Sequence, residues 1–308
     1  MNTFYDKLDA LYQSGDKSAA EEHIKDYLCH LQASDQESSP EYAAVLNELA
    51  GFYRGVSRYD ESAERFNKAL DILKANRMNP SPQYATILLN LAGLHRLLGN
   101  PKNAISLFAE AKDMLAACGR TEDYAYAGVL NNLALAYQDT GEYEKAYNAA
   151  LEAYQFVLRQ ESNDHEIATS LNNLAVIQKK RGAADDAEAL IDRALRIYDG
   201  MSEPDVHHAA ALSTKATLLY GMGRYTEALN YFNKALELTD QFFGKNLEYA
   251  AGQRHLSMVY EALDDCDTAL HYLKSALSLL EGILGTDHPR VTEARESFAR
   301  LSQKASRQ

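Results

Sequence analysis

A thirteen-residue stretch occurs twice in this chain, 41 residues apart. Val129–Gly141 reads VLNNLALAYQDTG, and Ser170–Gly182 reads SLNNLAVIQKKRG. A recurring unit of this kind constrains the fold strongly, because each unit buries its apolar face by stacking on the next one. The sequence therefore favours an array of similar units over one compact core for its 308 residues.

Further copies extend the register along most of the chain. Columns of small and apolar residues recur at spacings of 41 or 42 residues. The small-residue column is Ala50, Ala92, Ala134, Ala175, Ala216 and Ser257. The column seven residues later is Ser57, Gly99, Gly141, Gly182, Gly223 and Asp264. A second small column is Ser62, Ala104, Ala146, Ala187, Ala228 and Ala269. A third is Ala69, Ala111, Ala153, Ala194, Ala235 and Ala276.

Each unit contains two helical patterns joined by a tight turn. Leu130, Leu133, Ala134 and Tyr137 fall at i, i+3, i+4 and i+7, which predicts an amphipathic helix. Ala228, Phe232 and Ala235 form a matching stripe in a second helix, and small residues let the two helices approach closely. The turn residue, usually glycine, ends the first helix. We call the two helices of a unit the leading and the following helix.

These columns resemble the tetratricopeptide repeat, whose usual period is about 34 residues. The longer period and the segments LNNLA (130–134, 171–175), GEYEKA (141–146) and GTDHPRV (285–291) are similar to the repeats of kinesin light chains. The period alone also permits HEAT or armadillo arrays, whereas the Gly-x-Tyr-x-x-Ala turn favours the tetratricopeptide reading. The resemblance covers roughly residues 3 to 301. It implies an all-α, right-handed solenoid with a concave groove.

One solenoid over residues 1–308 is the predicted domain organisation. Its parts are a degenerate helix pair (1–40), repeats near 41–82, 83–124, 125–165, 166–206, 207–247 and 248–288, and a capping helix (289–303). Proline-containing loops are expected between units at Asn79–Pro82, Glu203–Asp205 and Thr286–Pro289. Repeat five departs from the pattern because Lys215 replaces a leucine, and the chain has no Trp.

Composition narrows the class of protein. A net charge of −13 argues against nucleic-acid or anionic-membrane partners. The N-terminus does not resemble a signal peptide, and no window approaches the ~18 apolar residues of a membrane span. Three scattered Cys residues support neither disulfides nor a paired-Cys metal site. We therefore expect a cytoplasmic protein.

No pattern of catalytic residues is recognisable. There is no phosphate-binding Gly-rich loop and no His-Glu-x-x-His motif, and the adjacent pair His207-His208 cannot aim at one metal from a helix. The expectation is a protein without enzymatic activity, with no catalytic, cofactor-binding or metal-binding residues.

Polar residues on the leading helices form the candidate site. Leading helices of a solenoid stack side by side, so side chains recurring at the repeat period should line one inner wall. We call the predicted residues the groove set: Asn47, Arg54, Asn90, Arg96, Asn131, Asn132, Gln138, Asn172, Asn173, Lys179, Lys180 and Arg254. The asparagine side chain both donates and accepts hydrogen bonds, so it can pair with the backbone of a bound peptide. The basic members favour acidic segments or a free C-terminal carboxylate as ligands. This arrangement resembles the way in which kinesin light chains hold short acidic or apolar segments.

The sequence therefore predicts a protein-interaction adaptor that binds a peptide segment of a partner, with homo-oligomer formation as a further possibility. A peptide-sensing regulator is the alternative. A simpler interpretation also stays open, in which the asparagines bond to neighbouring repeats and the basic residues are merely solvated.

Overall fold

A computed structural model describes residues 2–160, 164–201 and 206–306, and within these ranges it contains fifteen α-helices and no strand. The all-α expectation is confirmed. The chain divides into two compact units, 1–156 and 157–308, which are described separately. The predicted Glu203–Asp205 loop lies outside the described residues.

The first unit is built from α1 to α8. These are Asn2–Ser14, Lys17–Ala33, Pro40–Gly55, Tyr59–Ala75, Pro82–Leu97, Pro101–Ala117, Tyr124–Asp139 and Tyr143–Arg159, the last of which runs just past the unit boundary. The leading helices α3 and α5 start at a proline that follows a serine. The hydroxyl oxygens of Ser39 and Ser81 accept hydrogen bonds from the backbone N–H groups of Tyr42 (3.0 Å) and Tyr84 (3.1 Å), which satisfies free amides of the first turn.

The second unit is built from α9 to α15. These are Asp164–Lys180, Ala184–Asp199, Val206–Gly221, Tyr225–Phe243, Leu247–Ala262, Cys266–Leu284 and Pro289–Ala305. The last helix packs on α14 and buries Val291, Ala294 and Leu301 completely. An apolar end face of the helix stack is thereby covered, as a repeat array requires.

The small-residue columns lie at the contact between leading and following helices. Ala50, Ala92 and Ala216 have no exposed surface, and Ala69, Ala111 and Ala276 on the following helices are equally buried. Serine replaces alanine twice, and each time its hydroxyl donates across the contact, from Ser62 to the carbonyl of Ala50 (2.7 Å) and from Ser257 to that of Ala269 (2.8 Å). The prediction that small residues let the two helices of a unit approach closely is confirmed.

The predicted turn column is also confirmed. Gly99, Gly141, Gly182 and Gly223 have φ of 74°, 76°, 84° and 77°, in the left-handed region where glycine carries no steric penalty. Ser57 and Asp264 occupy the same column with φ of 63° and 66°. The turn geometry is therefore kept even where the sequence offers no glycine.

Lys215 occupies a buried leucine position in repeat five and is only 4% exposed. Its ammonium group lies 2.7 Å from Glu188 and 2.7 Å from Asp192 on α10. Arg224 contacts Glu188 at the same distance and also pairs with Glu227. The buried charge is thus compensated by carboxylates, as burial in a helix contact demands.

None of the described helices combines the length and the apolar character that crossing a membrane requires.

Candidate functional site

A hydrogen bond between side chains joins the leading helices α3 and α5. Asn90 Nδ2 donates to Asn47 Oδ1 at 2.9 Å, and both residues are half-buried. Arg54 Nη1 reaches across the same contact and donates to the backbone carbonyl of Asn90 at 3.3 Å. A Cβ at Gly93 would lie 3.1 Å from that nitrogen, so glycine gives the guanidinium room to cross.

An ion pair joins α5 to α7 near their C-terminal ends. Arg96 Nε lies 2.6 Å from Asp139 Oδ2, and both side chains are more than one-third exposed. The pair borders an open concavity of about 720 Å³ between the ends of the three leading helices. Leu97 lines this concavity and is 58% exposed, which leaves an apolar side chain available at its wall.

The remaining groove-set residues of the first unit lie on α7. Asn131, Asn132 and Gln138 are half-buried, and Asn132 Nδ2 donates to the carbonyl of Gly128 in its own helix at 2.8 Å. The structure therefore brings the groove set of repeats one to three onto the adjoining helices α3, α5 and α7.

Four of the second-unit members lie on α9. Asn172 and Asn173 are half-buried, and Oδ1 of Asn172 is enclosed without a hydrogen-bond partner in the described residues. Burial lowers the pKa of Lys179, and the charge of Lys180 lowers it further. Lys180 itself is exposed at the end of the helix.

Arg254 lies on α13 of the second unit, where it pairs with Glu293 of α15 at 2.6 Å. The neighbouring His255 stacks on Phe232 with 5.1 Å between ring centroids. Burial lowers the pKa of His255, and the charges of Arg254 and Lys179 act in the same direction. A smaller concavity of about 340 Å³ lies beside this stack, between α11, α12 and α13.

The arginines of the groove set are thus committed to contacts within the chain. Arg54 holds a neighbouring backbone, while Arg96 and Arg254 each hold a carboxylate of a later helix. An incoming carboxylate would have to compete with these partners or share them. Within the described residues, Lys179 and Lys180 are the basic members whose side chains have neither an ion pair nor a hydrogen bond.

Some residues beside the groove set were not predicted. Leu97 and Thr86 lie on α5 within one stripe that also contains Asn90, and Tyr5 reaches the wall of a cleft near Asn47 from α1. The helical period of α5 could have identified Thr86 and Leu97, which lie four residues before and seven after Asn90. The sequence carried no signal for Tyr5, because its placement depends on how the irregular first helix pair packs.

Within the described residues, no group of three or more His, Cys, Asp or Glu side chains is placed to hold a metal ion.

A family model described as Tetratricopeptide repeat matches residues 41–117, 126–200 and 207–282. No curated protein matches the chain. Among solved structures, a tetratricopeptide repeat protein from Parabacteroides merdae is similar over 95% of this chain and 96% of its own, with 17% identity and a TM-score of 0.67.

Two further structures share the fold. A putative kinesin light chain with nearly identical repeats from Podosopora anserina matches with 16% identity and a TM-score of 0.54, covering 65% of this chain and 96% of its own. A Rap protein complexed with Competence and Sporulation Factor matches with 11% identity and a TM-score of 0.57, covering 99% and 98%. The family model spans most of the chain and every repeat that carries the groove set, and the chain therefore belongs to the tetratricopeptide repeat family.

Proposed function

We propose that this protein is an adaptor that binds a peptide segment of a partner protein across its leading helices. Tetratricopeptide repeats are scaffolds for protein–protein interaction. The groove-set residues on α3, α5 and α7 form what we call the polar stripe of the first unit. The observation that carries the proposal is that, in this stripe, the Asn47–Asn90 pair lies between two open depressions on the same helices. A bound segment would run over the asparagines and place side chains in the depressions.

The chemistry of the asparagines suits such a ligand. A side-chain amide has two N–H donors and an oxygen with two lone pairs. Asn132 uses one donor on Gly128, and Asn90 uses one on Asn47, so each keeps capacity for a further bond. Peptide backbones offer alternating donors and acceptors whatever their sequence. These amides would therefore give affinity, while the depressions give specificity.

In the second unit, Lys179 and Lys180 favour an acidic segment or a free C-terminal carboxylate. Burial makes the charge of Lys179 unfavourable, and an incoming carboxylate would compensate it. We propose this part of the site on the lysines alone, because Arg254 already holds Glu293. Whether the two units contribute to one groove, and whether the chain self-associates, stay predictions.

A peptide-sensing regulator is the second candidate. The likeness to the Rap protein complexed with Competence and Sporulation Factor, over nearly the whole of both chains, favours it. The two candidates differ in what binding does to the array. Small-angle scattering with and without a bound peptide separates them, because a regulator changes its dimensions and an adaptor keeps them.

The absence of Trp from the sequence provides a direct test of the adaptor proposal. A display library of random dodecapeptides is selected on the immobilised full chain, and recovered peptides are titrated against two single-Trp variants. Leu97→Trp places the fluorophore at the wall of the larger concavity. Asn103→Trp, at an exposed position of the following helix α6, is the matched control.

Peptides should bind and change the emission of the Leu97 variant while the Asn103 variant stays silent. Failure to select any peptide would rule out the proposed function. Binding reported only by the α6 position would move the site to the following helices.

A further inference from the structure

A second depression lies at the N-terminal end of the polar stripe, between α1, α3 and α5. Its volume is about 180 Å³, against ~30 Å³ for one water molecule in the liquid, so it can take the end of a side chain. We call it the Glu48 cleft. Its wall includes Tyr5, Ala44, Asn47, Glu48, Thr86 and Ile87.

Glu48 is a half-buried acid in this wall, beside Asn47 of the asparagine pair. Asn90 donates to Asn47, the residue that precedes Glu48 in α3. Burial raises the pKa of Glu48, and the negative charge of Asp9 raises it further, whereas no cation lowers it. In the described part of the chain, no lysine or arginine forms an ion pair with this carboxylate.

Tyr5 of α1 lines the same cleft as Glu48. Tyr12, on the same helix, is 45% exposed. Burial raises the pKa of both phenols, and the negative charge of Glu48 raises both further. Tyr5 is held by an edge-on contact with Phe4, at 5.0 Å between centroids.

An anionic carboxylate in a cleft that a tyrosine also lines suits a cation. A lysine or arginine end group gains a charge-assisted hydrogen bond from the acid and an attraction to the electron-rich face of tyrosine. The Ala44 and Ile87 side chains supply an apolar wall for the methylene stem of such a residue. The chain as a whole carries a net charge of −13, which favours approach of a basic segment.

We propose that the Glu48 cleft receives a lysine or arginine side chain of the bound peptide. The inference rests on the proposed function, because it assumes that a peptide lies along the leading helices. It adds a basic specificity position to the first unit, in contrast to the acidic partner that the arginines of the sequence suggested.

The test uses the same random dodecapeptide library on the full chain, followed by titration of recovered peptides. Wild type should enrich peptides with at least one Lys or Arg, and replacing that residue by norleucine should weaken binding. Glu48→Gln should weaken the affinity of basic peptides about tenfold or more, as expected for a hydrogen bond to a charged group. Glu22→Gln, at an exposed position of α2, is the control and should leave affinity unchanged.

The outcomes separate the two claims. Peptides that bind without basic enrichment, or that bind the Glu48→Gln variant as tightly as wild type, overturn the Glu48 cleft assignment and leave the adaptor proposal standing. No recovered peptide overturns both. The Glu48→Gln variant is nearly isosteric and removes a half-buried charge, so folding is preserved, and circular dichroism with a melting curve checks this.

Discussion

The side chain of Asn90 donates to that of Asn47 at 2.9 Å and so joins the leading helices of two successive repeats. Two asparagines 43 positions apart in sequence thus meet in a single contact. The interpretation in which asparagines bond to a neighbouring repeat therefore holds for this pair. It is compatible with peptide binding, because an amide engaged at one atom keeps its other bonding capacity.

The first prediction concerns this bond. Asn90→Ala and Asn47→Ala should each lower the free energy of unfolding by about 1 kcal/mol, since each removes one partly buried hydrogen bond. The double variant should lose less than the sum, because both substitutions remove the same bond. Urea unfolding of the four proteins measures the coupling. Asn67→Ala, at an exposed position of α4, should change stability by no more than ~0.5 kcal/mol. If the double variant lost the full sum of the two single losses in unfolding free energy, that result would contradict the hydrogen bond.

The second prediction concerns the turn column. Ser57 adopts a φ of 63°, where a side chain is strained. Ser57→Gly should stabilise the chain by roughly 0.5–1 kcal/mol, the relief of strain being partly offset by a more flexible unfolded chain. Gly141→Ala, at a φ of 76°, should destabilise by about 1 kcal/mol. Melting temperatures measured side by side should move in opposite directions, and a shared direction would argue against a common turn.

The third prediction concerns the buried Lys215. Lys215→Ala removes both the charge that compensates Glu188 and Asp192 and the packed methylene stem. We expect the free energy of unfolding to fall by about 2–4 kcal/mol. This is less than for breaking a fully buried ion pair, because the side chain of Asp192 is 40% exposed. Lys215→Met should lose less stability than Lys215→Ala. Methionine keeps an apolar chain of similar length at a position that is leucine in the other repeats. Lys234→Ala, an exposed lysine of α12, is the control for urea unfolding. Equal losses for Ala and Met would show that packing contributes nothing there.

The fourth prediction is a pH dependence. Burial lowers the pKa of folded His255 below its ordinary value of 6.5, so the unfolded chain takes up this proton first as the pH falls. Stability should therefore decrease as the pH drops below about 6.5, towards the folded pKa. His255→Gln should reduce this dependence, whereas His271→Gln, an exposed histidine of the same unit, should keep it. Thermal melts between pH 5 and 8 measure the slope, and identical slopes in all three proteins would contradict the assignment.

Much of the fold could be predicted because repetition amplifies weak signals. A single alanine predicts little, but Ala50, Ala92 and Ala216 at one spacing indicate a close helix contact, and all three are fully buried. The turn column was recognisable for the same reason, although Ser57 and Asp264 depart from glycine.

The details of the candidate site could not be read in the same way. Helical periodicity identifies which residues share a stripe, but it does not say which stripe residues bond to one another. Arg96 lies in the predicted stripe, yet its partner is Asp139, 43 residues later. Tyr5 and Glu48 meet through the packing of α1, which follows no repeat register. Contacts between units of a repeat depend on non-repeating residues, and periodicity carries no information about those.

The most direct test of the central claim is photo-crosslinking to a selected peptide. A photoreactive phenylalanine analogue is placed at Thr86, on the open stripe of α5, or at Lys102, on the exposed face of α6. The account predicts covalent capture of the peptide from position 86 and none from position 102, with capture suppressed by excess unlabelled peptide. Capture from position 102 alone, or equal capture from both, would contradict a binding surface on the leading helices.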